Sequence, residues 1–422
     1  MRIALFCYRG NPYCGGQGIY VYHLSRELVQ LGHHVTVFVG PPYPDPLPWA
    51  KVVLVPNHNF WGRKHAFIPR NDPASIFKPL HFLEFATSRL GYFPEPLAFS
   101  FRAYNAFRKR HVTMPFDVLH DVETLGYGTL LAKKLGVPTV CTVHHPLSRD
   151  LHAHLVKADS FMERYYNVAF FPLIMQGLVA RRMDGVITSS RTGTEELKRA
   201  FRIKAERIHL VHTGVDSKVF SPDPSTVRTP SEVLFVGNAQ DPRKGILYLL
   251  QALRDLSDAV HLTVVDQGEP QKYYAPALVR ALRLEGRVVF TGKIPLETLV
   301  RLYRRASVLV MPSLFEGFGL PAVEAMASGT PVIATHAGSL PEVVGENQEG
   351  GILVPPQDSD ALAKAIHLVT TQPLLREKLA SGGRHRVECL FSWKSTAQKT
   401  TEVYRRVREG DKGRSGMILS SG

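Results

Sequence analysis

PSLFEGFGLPAVEAMASG, residues 312–329, is the stretch on which the reading of this chain turns. An apolar run, ASVLVM (306–311), precedes it and a helical pattern follows, so it reads as strand, tight loop and helix. Gly317 and Gly319 let the backbone turn sharply and approach a ligand without interference from a Cβ. Pro321 suits a first helical turn, where its missing N–H costs nothing. The amides of Phe318, Gly319 and Leu320 would then emerge at a helix N-terminus, an arrangement suited to a diphosphate. Glu316 in the loop and Glu324 about one turn into the helix can face one side, and carboxylates accept hydrogen bonds from vicinal sugar hydroxyls. A structural turn with two solvated glutamates would account for a lone glycine-rich turn, but not for the whole string.

On both sides of this stretch, short β-branched runs alternate with helical patterns, which predicts βαβ units and parallel sheets. The first series of expected strands is Arg2–Tyr8, His34–Gly40, Lys51–Pro56, Asp117–His120, Thr139–His144, Gly185–Ser189 and Ile208–His212. The second is Val233–Gly237, His261–Val265, Val288–Thr291, Ser307–Met311, Pro331–Thr335 and Ile352–Val354. Two such series imply an α/β protein of two Rossmann-like doubly wound domains, with a ligand cleft at the carboxyl ends of the strands. The Pro-, Ser-, Thr- and Asp-rich stretch VDSKVFSPDPSTVRTP (215–230) marks the boundary. The expected division is residues 1–214, residues 215–395, and a terminal helical segment, 396–422, whose polar tail beyond Glu409 should fray.

The 422 residues exceed what one hydrophobic core usually holds, and 44% apolar with 21% charged residues is a globular composition. Four cysteines form neither a disulfide framework nor a zinc pattern, and MRIALFCYRG reads as a buried strand rather than a secretory signal. A cytoplasmic location is therefore expected. The net charge is +14; residues 1–200 carry 23 Lys+Arg against 14 Asp+Glu, and residues 201–400 carry 23 against 20. That basic first half suits phosphate-bearing substrates or an anionic membrane surface, and equally a merely solvated basic face. Residues 57–115 hold twelve aromatics and end in Arg108-Lys109-Arg110, a mixture that fits an acceptor pocket, a membrane-facing patch or, more commonly, core packing. The apolar run Tyr165–Ala180 is interrupted by Pro172 and is too short for a spanning helix, so the expectation is a buried or interfacial helix. Any membrane contact would be peripheral, on the inner face.

FEGFGLPAVEAMASGTPVIAT strongly resembles the E-x7-E signature of glycosyltransferase family 4, whose members have the GT-B fold and retain anomeric configuration. GGQGIYVYHLSRELVQLGHHVTV (15–37), VHTGVDSKVFSP (211–222), THAGSLPEVVGENQEGGILVPPQDSDALAKAI (335–366) and FSW (391–393) are also similar to family patterns. The resemblance implies two domains facing across a deep cleft and a hexose transferred from a nucleotide sugar to a hydroxyl acceptor. It further implies that Glu316 contacts sugar hydroxyls, Glu324 the donor ribose, Gly15 and Gly16 the diphosphate, and that His144 lies near the anomeric carbon and acceptor. Lys244 in DPRKG matches the family's phosphate-binding lysine, and backbone near Gly292 to Ile294 is where the base is expected. Many relatives place an arginine after the glycine of the preceding strand; this chain has Asn238, so either Arg243 substitutes or the phosphates are held by one cation fewer. Asp266 likewise stands where a glycine is common.

From the residues themselves, His144 at a strand end is oddly placed for a core, and His120 and Asp121 are weaker candidates of the same kind. No carboxylate clearly matches a double-displacement nucleophile, so the two-carboxylate glycosidase scheme is not supported. Asp358-Ser359-Asp360 reads as a helix cap rather than a metal site, and neither a metal nor another cofactor is expected. The acceptor stays open between a lipid or lipid-linked glycan and a soluble sugar. A nucleotide-sugar-binding protein without transferase activity is the reading of another class. Nucleic acid is not expected as a partner, because no aromatic-basic base-reading module is visible.

Overall fold

In the computed structural model of the chain, the residues described are 1–11, 16–57, 77–90, 92–144, 160, 164, 173–266 and 274–419, excepting the side chains of Gly16 and of 411–419. The chain divides into two compact units. The first comprises Met1–Ser189, Gly193–Val211 and Thr396–Gly422; the second comprises Ser190–Thr192 and His212–Ser395.

The first unit is built on seven strands: β1 (Arg2–Cys7), β2 (His34–Val39), β3 (Lys51–Leu54), β4 (Val118–Val122), β5 (Thr139–Thr142), β6 (Gly185–Thr188) and β7 (Ile208–Leu210). They pair in parallel in the order β3-β2-β1-β4-β5-β6-β7. The second unit has β8 (Thr229–Val236), β9 (His261–Val265), β10 (Val288–Phe290), β11 (Ala306–Met311), β12 (Val332–Thr335) and β13 (Gly351–Val354). Their order, also parallel throughout, is β10-β9-β8-β11-β12-β13. Both orders reverse once, between β1 and β4 and between β8 and β11, so each sheet has a switch point where connections leave in opposite directions.

Every strand expected from the sequence is present, with ends displaced by a few residues. The largest displacement is at β8, which starts at Thr229 inside the stretch read as a linker. The Ser307 hydroxyl donates to the carbonyls of Thr229 and Pro230, and the register with β11 shifts there, which accommodates a proline without a ladder N–H. Burial on both faces explains why these strands read as near-continuous apolar runs. Along β11, Val308 and Val310 enter one core cluster while Leu309 and Met311 enter the other.

In the aromatic segment, helices Pro79–Arg89 and Glu95–Thr113 are described, and residues 58–76 and Gly91 lie outside the described residues. Phe99 and Phe107 pack with Phe6, Phe38 and Phe116 in the core of the first unit, whereas Phe77 is 83% exposed and Phe82 55%. Helix Leu173–Ala180 buries Met175, Val179 and Ala180, and the rest of the apolar run, 165–172, lies outside the described residues. Among the described residues no helix is long and apolar enough to cross a membrane. The last helix runs Trp393–Leu419.

The part of that helix assigned to the first unit is anchored in it by polar contacts. His120 is fully buried, with Nδ1 2.6 Å from the Tyr404 hydroxyl and Nε2 2.7 Å from Thr142 Oγ1. Burial pushes its pKa down to about 3, so it is a neutral core histidine rather than the site candidate read from the sequence. Tyr404→Phe should leave one imidazole nitrogen without its partner and lower unfolding stability by about 1–3 kcal/mol. Urea unfolding of the two proteins checks this, with an unchanged midpoint counting against the anchoring role.

Candidate functional site

In the second unit the expected donor-site residues gather at the carboxyl edge of the sheet. The loop after β8 carries Asn238 to Gly245, and the loop after β11 carries Pro312 to Gly319. They are fastened together: the Leu314 amide donates to the Arg243 carbonyl at 2.7 Å, and a Cβ on Gly245 would lie 1.9 Å from the Pro312 carbonyl oxygen. Gly245 also has φ +69, so glycine is required there twice over.

That fastening brings Lys244 Nζ to 2.7 Å from Glu316 Oε2, with the Ser313 hydroxyl 3.3 Å from the same oxygen. The Glu316 main chain is held as well. Its carbonyl accepts from the Ser339 amide at 3.1 Å, and a Cβ on Gly338 (φ +60) would collide with it at 2.0 Å. A cation and a carboxylate are thus paired side by side and half-buried, one able to turn to phosphate and the other to hydroxyls.

Gly319 caps helix Leu320–Ala327 at φ +91, with Pro321 in the first turn, as the string 312–329 predicts. Among the described residues no partner takes up the amides of Phe318, Gly319 and Leu320, so three N–H groups stand at a helix N-terminus. The Phe318 ring is buried against Phe391 and stacked with His212, so the side chain is taken up by packing. Gly292 (φ +65) follows β10 with open space beside its Cα, and Ile294 packs on the adjoining core.

Glu324 accepts a hydrogen bond from the buried Tyr303 hydroxyl at 2.8 Å. Burial raises its carboxyl to about 7, although the Tyr303 bond opposes the shift. Arg243 is gripped by Asp241, with Nε 2.9 Å and Nη2 2.7 Å from Oδ2, so its charge is partly neutralised within its own loop. Asn238 accepts from the Gln240 amide at 3.0 Å, and Asp266 from the Ala239 amide at 3.1 Å and Gln240 Nε2 at 3.2 Å. The two departures from the family pattern therefore act together: both hold the loop that presents Lys244. Asp358 caps helix Ser359–Thr371 by accepting from the Ala361 amide at 2.8 Å.

In the first unit, His144 follows β5, half-buried, with its ring edge-on to Tyr20 at 4.8 Å between centroids. Its amide donates to Glu123 Oε1 at 3.0 Å, and Gln17 Nε2 donates to Glu123 Oε2 at 2.9 Å. Gly16 begins helix Gly16–Gln30, while Gly15 and His145 lie outside the described residues. Asp121 is fully buried and spends its carboxylate on the Thr124 and Leu125 amides and the Thr129 hydroxyl. It shapes the loop after β4 instead of facing a ligand. The sequence reading missed Glu123, Tyr303, Ser313 and Asp241. Only Asp241, three residues before Lys244, carried a local signal, as the cap of the short turn Pro242–Lys244.

Comparison with known proteins follows the same division. Residues 219–386 match the model for "Glycosyl transferases group 1", and residues 14–219 match that for "Glycosyltransferase Family 4". An "MMP alpha-(1->4)-mannosyltransferase" of Mycolicibacterium hassiacum is 39% identical over 412 residues, 96% of this chain and 98% of that protein. A "D-inositol 3-phosphate glycosyltransferase" of Xylanimonas cellulosilytica is 30% identical over 421 residues, 94% of this chain and 92% of that one. Among solved structures, a sucrose-phosphate synthase from Thermosynechococcus elongatus superposes with a TM-score of 0.69 at 27% identity, covering 97% of this chain and 99% of its own.

The raised Glu324 carboxyl sets a pH dependence. Its folded pKa, about 7, lies above the ordinary 4.5, so the folded state keeps a proton that the unfolded chain has released. Stability should therefore fall as pH rises from about 4.5 to 7 and then level, by at most about 3 kcal/mol from this group. Glu324→Gln should remove that slope and be the more stable protein at pH 8. Melting curves of both proteins between pH 4.5 and 8 that run parallel would contradict the assignment.

Proposed function

The chain belongs to glycosyltransferase family 4, and we propose that within it this protein transfers a mannosyl residue from a nucleoside diphosphate mannose to a 4-hydroxyl of a glycan acceptor, with retention of configuration. The single observation that carries the catalytic part is the Lys244–Glu316 pair at 2.7 Å beside a helix N-terminus. The choice of sugar and linkage rests on the 39% identity to the Mycolicibacterium mannosyltransferase along nearly the whole of both chains.

In this reading the donor diphosphate takes Lys244 and the amides of Phe318, Gly319 and Leu320, and Glu316 turns to the sugar hydroxyls. Glu324 accepts from the ribose, and backbone near Gly292 and Ile294 receives the base. The acceptor oxygen bonds to the anomeric carbon as the bond from that carbon to the diphosphate breaks. The leaving phosphate oxygen takes the acceptor's proton, on the same face. A fixed cation and oriented amides stabilise the charge that gathers on the diphosphate, the kind of contribution that is usually largest in such reactions. Arg243 is already paired with Asp241, which offsets part of its charge, so Lys244 is the principal cation. No metal is assigned to the reaction.

A lipid-linked acceptor is favoured by one observation: Phe77, Phe82, Leu83 and Leu90 are exposed on and beside helix Pro79–Arg89 of the first unit. Salt-sensitive co-sedimentation with anionic vesicles is the expected result for that acceptor, and none at low salt sinks it.

A thermal-shift screen against UDP, GDP, ADP and their mannose conjugates should give a rise with one nucleotide series. A ligand at a hundred times its dissociation constant adds about 2.7 kcal/mol. With that donor, Glu316→Ala should lower kcat at least about a hundredfold with the fold intact, since the contact counts most in the transition state. Lys244→Ala should both raise the donor KM and lower kcat, since the ammonium holds the diphosphate and stabilises the charge that gathers on it as it leaves. Activity within a few-fold of wild type for Glu316→Ala removes the assignment, and unchanged kinetics for Lys244→Ala moves the phosphate role to Arg243.

A further inference from the structure

We infer that Glu123 is a positioning residue of the first unit, whose carboxylate fixes the backbone of His144 to the N-terminal helix Gly16–Gln30; this rests on reading His144 as the group beside the anomeric carbon and acceptor.

Three observations converge on it. The first is strain. Glu123 has φ +57 and Leu125 φ +48, two non-glycine residues in left-handed conformation within three positions, immediately after β4 at the switch point of the sheet. Such backbone persists only where the surroundings over-determine it, and it collects at functional sites. Here the surroundings are visible. The buried Asp121 carboxylate accepts the Thr124 and Leu125 amides and the Thr129 hydroxyl, and the Glu123 amide donates to the Thr142 carbonyl at 3.1 Å.

The second observation is what the strain achieves. It lifts the Glu123 side chain between two chain segments, where its two oxygens serve different partners. Oε1 receives the His144 amide at 3.0 Å, and Oε2 receives Gln17 Nε2 at 2.9 Å. A carboxylate accepts from both sides without rearrangement, whereas a neutral residue of this size brings one acceptor and one donor.

The third observation is that the same two segments are joined again on the far side of His144. Its ring meets the Tyr20 ring edge-on, and the Tyr20 hydroxyl lies 3.4 Å from Thr142 Oγ1, which also holds the buried His120. His144 is thus fixed at its amide by Glu123 and at its ring by Tyr20. Gln17 and Tyr20 are three apart on one helix and so share a face of it. The Glu123 bridge consequently ties together the helix that begins at Gly16 and the strand end that bears His144, two of the segments assigned to diphosphate and acceptor.

The test uses Glu123→Gly, Glu123→Gln, the exchange of Gln17→Glu with Glu123→Gln, and His144→Ala, each in the full chain. Glycine is at ease at φ +57, so Glu123→Gly should fold, with a Tm within about 4 °C of wild type. Its kcat should nonetheless fall thirtyfold or more while the donor KM moves less than threefold. The His144 amide should exchange with solvent at least ten times faster, a readout that needs no substrate. Glu123→Gln, rescued by a flip of the Gln17 amide, and the exchanged pair, which keeps both hydrogen bonds, should stay within about fivefold of wild type in kcat. Glu123→Gln as slow as Glu123→Gly would mean that the charge itself acts, and would overturn the positioning role. So would unaltered kcat or His144 exchange in Glu123→Gly. If His144→Ala keeps full activity, the reading of His144 is what fails, and the inference falls with it. Loss in His144→Ala with none in Glu123→Gly refutes the inference alone.

Discussion

One backbone hydrogen bond, from the Leu314 amide to the Arg243 carbonyl, fixes the geometry on which the second unit's chemistry depends. It joins the loops leaving β8 and β11, neighbours at the point where the strand order reverses. Connections from these two strands leave in opposite directions, which opens a space at the carboxyl edge that no crossover helix fills. Gly245 packs its Cα against the Pro312 carbonyl, and this close approach allows the Lys244 ammonium to meet the Glu316 carboxylate. The pairing of opposite charges is a consequence of backbone fit.

Charge and burial are balanced differently at the two glutamates of the signature. Glu316 faces the Lys244 ammonium and the Ser313 hydroxyl. At Glu324 desolvation by burial raises the carboxyl to about 7, against the opposing hydrogen bond from the Tyr303 hydroxyl. The same sequence motif therefore contains two carboxylates in different surroundings, one paired with a cation and one held by a buried tyrosine.

Buried acids in the first unit serve shape. Asp121 ends β4 with every bond directed at its own loop, and that loop carries the strained Glu123. The same pattern recurs at Asp266, which holds the β8 loop by its Ala239 amide and Gln240 side chain. Where relatives commonly have an arginine and a glycine, this chain has Asn238 and Asp266, and both now stiffen the loop that presents Lys244.

The sequence by itself determined the parallel strands, the glycine loop of 312–329, the helix start at Gly319 and the cap at Asp358. These follow from local sterics, apolar periodicity and side-chain-to-backbone bonds that span only a few residues. It also marked Glu316 and His144 from the residues around them, while likeness to a family was what joined them with Lys244 in one expected site. Tertiary structure alone decided that His120 is a core histidine, that Arg243 is engaged by Asp241, and that Glu324 is held by Tyr303. It alone placed Glu123 between Gln17 and His144, 106 and 21 residues away in the chain. Such partners meet only after strand order and register are set, and a shifted pKa reflects the desolvation supplied by a whole packed neighbourhood. Neither quantity is a property of any short stretch of residues, so neither could be read before the chain was folded.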